Sequence, residues 1–581
     1  MTSCCGASHC AVDSRALSLG APRWRRCLTS PGHPRRSCSL RQGRERHCHV
    51  CGRVTGMRCL VMRVRRPSGR RVSPSAVATT TPVAKEQPKY EVRIEHPPGG
   101  GREVVISTRS TDGSTHEIRH DLPDAVVHHY RPPSEVHADM PLYAGTFRYA
   151  GDAREWTGDV RYTWKPTPTV EARGWRYPET EELQDFFNRL ANYDTSDVWS
   201  SPAALEIELP EALLPKQPER LAVPLAHHEG ASQSSARLEQ QVGDSSTLDR
   251  VTFLIPNGWE AYDERGICDA SDRAATWYGR TEARGDGWLL TFDRRRDVEH
   301  TLWSDLKRTG GYGFTHTGSM EREDGSTFTG DEAFEAMSRV RIGLNIALGR
   351  RVTCALPVGW LQGRPVWTRW RSAPVDPFSN KSHWLDREIT SSQISEIVSA
   401  VLNATVDAAK KDAVAYATAY YVTAQVNVDV QLAAAIPVPG LQLLSYLHLV
   451  SEQKLYSSTT FKDLIAEKQL RPLLDRLKIA TSIPPRLRNL AAVGQRSSAS
   501  GPALDALGAV IRMRNVAMHP THGRPAGYSI YEWAEAGMMA RYWFCLALLH
   551  AVGYAGDISE SLSPYRQGQG GRVRVPWAKG P

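Results

Sequence analysis

At 581 residues the chain has room for roughly two to four domains of ordinary size, and each half can bury its own core without disulfides or metal staples. Its 41% apolar and 23% charged residues and mean hydropathy of −0.42 are those of a soluble globular protein, not of a membrane-embedded or fibrous one. The net charge of +9 is misleading, because residues 1–71 hold 16 Arg and no Lys against only Asp13 and Glu45. That leader carries +14 by itself, so the remaining 510 residues carry 9 − 14 = −5, and charge gives no argument for a broad nucleic-acid groove on the body.

Eight of the eleven cysteines also lie in the leader, while Cys268, Cys354 and Cys545 are far apart and read as buried free thiols of a reducing compartment. The leader lacks the apolar stretch of a secretory signal. Its possible readings are a disordered basic tail, a start codon placed too early (with Met57 or Met62 nearer the true beginning), a transit peptide, or a zinc knuckle around Cys48-His49-Val50-Cys51-Gly52. Zinc is the weakest of these, since a structural site needs a second ligand pair at defined spacing. Residues 72–87 read as linker, so 1–87 is taken as leader and linker, disordered or mis-started.

From 88 to 376 the pattern is β-rich. Short alternating runs at 90–95, 103–108, 142–149, 159–164, 204–209, 250–255, 288–292 and 366–371 are separated by Gly, Pro and Asp punctuation. Pro97-Pro98-Gly99-Gly100-Gly101 and Asp112-Gly113 suit hairpin turns. Helices are expected at 181–191 and 332–337, and 228–247 reads as an exposed polar loop. This predicts one or two sandwich-like units with helical insertions, cast as a sensor or regulatory region. Residues 377–385 read as a connector. Helices are then expected at 391–423, 428–452, 461–480, 502–518 and 528–552, and 557–581 is expected to be a flexible tail. The segments 430–450 and 536–553 are apolar, but Pro437, Pro439 and Gly440 in the first and Arg541 in the second make them core helices of a bundle, not membrane spans. The expected class is therefore multidomain α+β: a sandwich-like β region followed by an all-α bundle over 391–556.

The helix over 502–518 carries an apolar stripe at Leu504, Leu507, Val510 or Ile511, and Met518, and Arg514 falls on it. A guanidinium on a core-facing stripe is costly unless it has a partner or lines a wet site. Pro520 pushes His519 out of the helix, where its ring can swing toward Arg514, and Asn515 stands four residues before it to orient an imidazole nitrogen. These residue types suit RNA cleavage without metal. A base activates the ribose 2′-OH against its own phosphate, His519 serves as base or acid, and Arg514 steadies the charge on phosphorus. One His is thin for both proton transfers, so a dimer that pairs two copies makes better sense.

The Arg514-Asn515-x-x-x-His519 pattern at a helix end, within a helical bundle, resembles the HEPN superfamily. A long β-rich region ahead of such a bundle is similar in layout to ApeA-type proteins of bacterial anti-phage defence. The resemblance implies an abortive-infection ribonuclease of the cytoplasm with no cofactor, acting on RNA (transfer RNA among the candidates) through a composite site in a homodimer, with an unidentified phage trigger. Relatives often carry an acid in an early bundle helix; here 441–450 offers Ser445 and His448 and no acid before Glu452.

Plainer roles suit the same residues. Arg514 can complement its helix dipole and His519 can cap the helix, leaving a HEPN-like RNA-binding or dimerisation module that cuts nothing, attached to a ligand-sensing β domain. His448 reads as a satisfied core histidine. Trp367, Arg369 and Arg371 share one strand face and can stack bases or cradle phosphates as a substrate-binding strip, though a solvated edge with one core tryptophan fits better. His128-His129 and His227-His228 lack further ligands, so no metal is expected. Thr309-Gly310-Gly311-Tyr312-Gly313 lacks the Lys-Ser/Thr of a phosphate loop.

Overall fold

The computed structural model describes residues 89–95, 103–109, 115–176, 206–209, 214, 217, 232–261, 263–269, 275–298, 301–379, 389–425, 429–497, 502–519, 527–559, 562 and 572–578. The leader with its Cys48–Cys51 pair, the 181–191 helix, both hairpin turns and His227-His228 lie outside them.

Strands β1 (Lys89–Glu95), β2 (Glu103–Arg109) and β3 (Thr115–Asp121) form an antiparallel three-stranded sheet in sequential order. A five-stranded antiparallel sheet follows. It contains β4 (Met140–Tyr149), β5 (Trp156–Thr163), β6 (Thr169–Arg176), β7 (Ile207–Glu208) and β8 (Ser232–Arg237), ordered β7-β4-β5-β6-β8. The largest sheet has eight strands: β9 (Gln240–Gly243), β10 (Arg250–Pro256), β11 (Arg265–Cys268), β12 (Thr276–Gly285), β13 (Trp288–Arg294), β14 (Phe314–Arg322), β15 (Ala355–Leu361) and β16 (Arg364–Trp370). Its order is β11-β12-β13-β14-β10-β15-β16-β9.

The two larger sheets bury side chains in one common core, and the β-rich region ahead of a helical one is as expected. Leu254, Phe314, Val358 and Trp370 of the eight-stranded sheet share a core with Phe147, Val160, Tyr162 and Val170 of the five-stranded one. Because side chains alternate along a strand, Val251, Phe253 and Ile255 of β10 point the other way. They are covered by helices, and a third layer results.

The helices on that far face include α1 (Leu302–Thr309), near the sheet end, and α2 (Gly330–Leu348), which lies across it. The expected helix at 332–337 is thus the first third of a much longer one. A capping box starts it: the Glu332 amide donates to Thr329 Oγ1 at 3.2 Å, and the Thr329 amide donates back to Glu332 Oε2 at 2.8 Å. The segment 228–247, expected to be a loop, contributes β8 and β9 instead. Ala236, Leu238, Gln240 and Val242 are buried at a spacing of two, and Gln240 bonds the Ile207 backbone through both ends of its amide. Few apolar side chains are needed there, because both strands lie at sheet edges.

The C-terminal part is helical, with α3 (Ser391–Ala404), α4 (Ala408–Gln425), α5 (Val430–Ala435), α6 (Pro437–Tyr446), α7 (Ser458–Lys462), α8 (Ala466–Arg476), α9 (Arg488–Arg496), α10 (Ala506–Met518) and α11 (Ile530–Ala551). The expected helix 391–423 breaks at Thr405, and Asp407 caps the second piece by accepting from the Lys410 amide. Likewise 461–480 divides into α7 and α8. The short α9 was not expected. Helices α3 and α11 open with capping boxes on Thr390 and Ser529.

Sheet and bundle share one core. Helix α3 packs on α2 and β12, and Gly285 of β12 leaves room for it: a Cβ there would stand 2.9 Å from both Leu402 Cβ and the Ser399 carbonyl oxygen. Arg339 of α2 donates to the Leu402 carbonyl oxygen at 3.1 Å and pairs with Asp286 at 2.8 Å. Among the described residues one helical run, Val430–Glu452, is long and apolar enough to cross a membrane, but 61% of its apolar window is buried, packed against α11 and α4. That burial is what a core helix of a bundle has. The expectation of a flexible 557–581 is corrected where that segment is described. Strands Asp557–Ser559 and Arg572–Arg574 (β17 and β18) pair, Ile558 and Val575 are buried, and Trp577 Nε1 donates to the Tyr554 carbonyl oxygen at 2.8 Å. Two apolar anchors dock the segment on the bundle.

Candidate functional site

Helix α10 starts where Asp505 accepts from the Gly508 amide at 2.9 Å, while Arg471 of α8 donates to the same carboxylate at 2.7 Å. Leu507, Val510, Ile511 and Met513 face inward and are buried. Arg514, seven residues after Leu507, is half-buried, so the stripe argument places it correctly at the margin of the core. Its Nε is buried with no hydrogen-bond partner among the described residues, and its Nη1 donates to Asn515 Oδ1 at 3.1 Å. Met518, expected to continue the stripe inward, is exposed instead, because the last turn projects past the bundle.

His519 leaves the helix as the proline rule predicts, with φ −129° and ψ 66°. Its amide closes the last turn on the Asn515 carbonyl oxygen at 2.9 Å, and the residue is exposed. Among the described residues no hydrogen bond joins its ring to Arg514 or Asn515. The orienting bond expected of Asn515 goes to Arg514 instead. The motif therefore presents one guanidinium with donors to spare and, beside it, an imidazole in water.

Sequence reasoning missed the basic neighbours. Arg512 reaches over the end of α9 and donates to the Ser497 carbonyl oxygen at 3.3 Å, and Arg496 pairs with Glu532 at 2.6 Å. Both are exposed beside the end of α9, while Arg514, two residues on from Arg512, points about 200° away around α10. No local signal brought Arg496 and Arg512 together, because α9 was not expected. No early-helix acid joins them. Glu452 lies in a π turn, Leu447–Glu452, accepting from His448 Nδ1 at 3.2 Å and pairing with Lys410 at 2.8 Å. His448 is thus satisfied, as the core reading has it. It stacks edge-on against His550, which sits 18 residues along α11 from Glu532, about 27 Å at the rise of an α-helix. The bond from His448, then Lys410, holds the Glu452 carboxyl down to about 2, and burial followed by the field of His448 holds His550 down to about 4.

The strip at Trp367, Arg369 and Arg371 needs correction. Strand β16 is not an edge, since β9 pairs along it from Trp367 to Trp370. Trp367 is fully buried under α2 with Nε1 bonded to Gln241 Oε1 at 3.1 Å, so it stacks no base. Trp370 is buried on the opposite face, bonding Tyr130 Oη at 3.0 Å, which makes two core tryptophans where one was expected. The arginines do share a face, and both guanidiniums lie over the Phe334 ring of α2, at 4.0 Å for Arg369 and 5.2 Å for Arg371. His128 is structural: both ring nitrogens contact backbone oxygens, of Tyr130 and Leu356, at 3.1 Å.

Comparison with known proteins places both regions in matched segments. Residues 243–381 match the family model described as YopA central domain, and residues 407–570 match the YopA C-terminal domain. The first contains most of the eight-stranded sheet with α2, and the second contains the bundle from α4 onward, with Arg514 and His519. The chain is similar to the SPbeta prophage-derived uncharacterized protein YopA of Bacillus subtilis (strain 168), at 23% identity over 245 residues, or 42% of this chain and 54% of the relative. The matched stretch thus spans about half the length of that relative. No solved structure matches the chain.

Proposed function

We propose that the chain is a metal-independent endoribonuclease of HEPN type, acting in the cytoplasm in conflict between a bacterium and its phages. The supporting observation is the last turn of α10, where a half-buried arginine with an unmet Nε stands beside an exposed histidine that has left the helix. In this reading His519 takes the proton of a ribose 2′-OH, whose oxygen attacks the adjoining phosphorus. The P–O5′ bond breaks, the departing oxygen takes a proton from the His519 of a second copy, and Arg514 bonds the phosphate oxygens as their charge grows. The products are a 2′,3′-cyclic phosphate and a free 5′-hydroxyl. Exposed Arg512, on the same helix, supplies a further phosphate contact along the strand. Exposed Met518, with Ile530 and Tyr531 at the start of α11, offers the apolar surface a homodimer would cover. A prophage-derived relative is compatible with a part in phage conflict.

The missing bond between His519 and Arg514 favours a second reading, a HEPN-like module that dimerises or binds RNA without cutting it. Induced expression separates the two. The parent, Arg514→Ala and His519→Ala are grown with and without phage challenge, and total RNA is run on a gel. Cleaved RNA and toxicity in the parent alone support the nuclease. Intact RNA in all three, or equal cutting by parent and His519→Ala, removes it.

A further inference from the structure

Helix α2 presents Phe334, Ser338 and Arg341 on one face, spaced four and three residues apart, and Arg369 of β16 and Arg371 just past its end, two residues apart, lie toward it over the Phe334 ring. Between helix and strand lies a cavity of about 90 Å³, walled also by Cys354 and Ser372. Three guanidiniums line it and no carboxylate does.

The two strand arginines have acids only outside the cavity: exposed Asp331 stands 3.9 Å from Arg369, too far for a hydrogen bond, and Glu239 meets Arg371 Nε at 3.1 Å in a pair half open to water, where screening weakens both. Arg341 has no hydrogen bond or ion pair among the described residues. Burial, and next the facing charge of Arg371, hold its guanidinium below the usual range. Cys354 does not compensate, because burial pushes its thiol up to about 12 and keeps it neutral. Converging like charges in a half-dry pocket are unfavourable unless an anion takes up their field.

We propose that this pocket binds the phosphate group of a small phosphorylated molecule, gripped by Arg341, Arg369 and Arg371. A phosphate monoester carries close to two charges and three acceptor oxygens, which suits three guanidinium forks better than a carboxylate does. The hydroxyls of Ser338 and Ser372 stand at the wall to serve the remaining lone pairs. No histidine lines the pocket, so it holds its ligand without acid–base chemistry. The ligand fits the role of a signal read by the β-rich region, and the site stands whether or not Arg514 and His519 cut RNA.

The test is calorimetric titration of the full chain with inorganic phosphate, a nucleoside 5′-monophosphate, a sugar phosphate and, as a monoanion control, acetate. At least one phosphate compound should bind, with acetate at least tenfold weaker. Arg341→Gln should weaken that binding about tenfold or more, and Arg341→Lys by less. Binding of inorganic phosphate as tight as the esters assigns the free ion, and tighter binding of one ester assigns that class. Should Arg341→Gln fail to fold, Arg371→Gln, at the open side of the pocket, gives the same reading. Heat from none of the phosphates, or a folded arginine variant that binds like the parent, overturns the proposal.

Discussion

Two arginine sites, one at the end of the bundle and one between α2 and β16, look alike in charge and differ in everything else. At the bundle end a single half-buried guanidinium has an exposed imidazole next to it, with exposed Arg512 on the same helix held only by the Ser497 carbonyl oxygen. In the sheet layer three guanidiniums converge on a small cavity whose only other ionisable lining group is a thiol held neutral by burial. In the proposed reading the first arrangement moves a proton, while the second offers only groups that bind. Phosphate recognition and phosphate chemistry are therefore read from different neighbours of the same residue type.

The largest effect expected is on the bundle end alone. His519→Ala should slow RNA cleavage by about 10²–10⁴ in a single-turnover assay, the usual worth of a positioned acid or base. Phosphate binding measured by titration on the same variant should be unchanged. Loss of both together would mean that the two sites are one system and that the contrast is false.

Trp367 sharpens the contrast from the other side. It sits between the two arginine rows in sequence but belongs to the core, with a Cβ on Gly330 only 3.2 Å from its ring. Trp367→Ala should cost about 3–5 kcal/mol of stability in denaturant unfolding, as large core truncations do. Arg371→Ala, on an exposed side chain, should cost less than about 1 kcal/mol. A Trp367→Ala protein as stable as the parent would return that side chain to the surface and reopen its role in binding.

How much of this was legible in the sequence follows from range. Arg514 could be placed because Leu507, Val510 and Ile511 lie within two turns of it, and His519 because Pro520 is its neighbour. The shared face of Arg369 and Arg371 followed from strand alternation. Their pocket did not, because its third arginine lies beyond Met337, where the expected helix stopped, and nothing local says that helix packs on β16. The strands at Ser232–Arg237 and Gln240–Gly243 were hidden for a related reason. Edge strands bury one side chain in two, and here those are Ala236, Leu238, Gln240 and Val242, too small or polar to stand out.

A smaller effect concerns acid, and it tests the far end of α11. Glu452 and His550 both titrate below their ordinary values of 4.5 and 6.5 when folded. A lowered folded value means the folded state binds fewer protons than the unfolded one, so stability falls as pH falls. For His550 the loss runs from about pH 6.5 down through 4, and for Glu452 from about 4.5 toward 2. The Tm should decline across the first window, and His550→Gln should flatten that decline while leaving the Tm above pH 7 nearly unchanged. A Tm that rises between pH 6.5 and 4 would mean His550 is not buried beside His448.

The smallest effect separates a polyanion path from a single contact. Arg512 is exposed and held only by a 3.3 Å bond to the Ser497 carbonyl oxygen, so replacing it costs the fold little. Each phosphate met by a basic side chain on single-stranded RNA contributes about 0.7 to the slope of log affinity against log salt. In a His519→Ala background, where RNA stays whole, Arg512→Gln should reduce that slope by about this amount. Between 50 and 200 mM salt (a fourfold change) the difference in affinity is only about two- to threefold. Arg341→Gln should leave the slope alone, because its cavity is too small for a nucleic-acid chain. An unchanged slope in Arg512→Gln would narrow the bundle-end site to Arg514 and His519. RNA would then have to be positioned by surfaces of a second copy, since one guanidinium gives too little attraction to hold a strand at physiological salt.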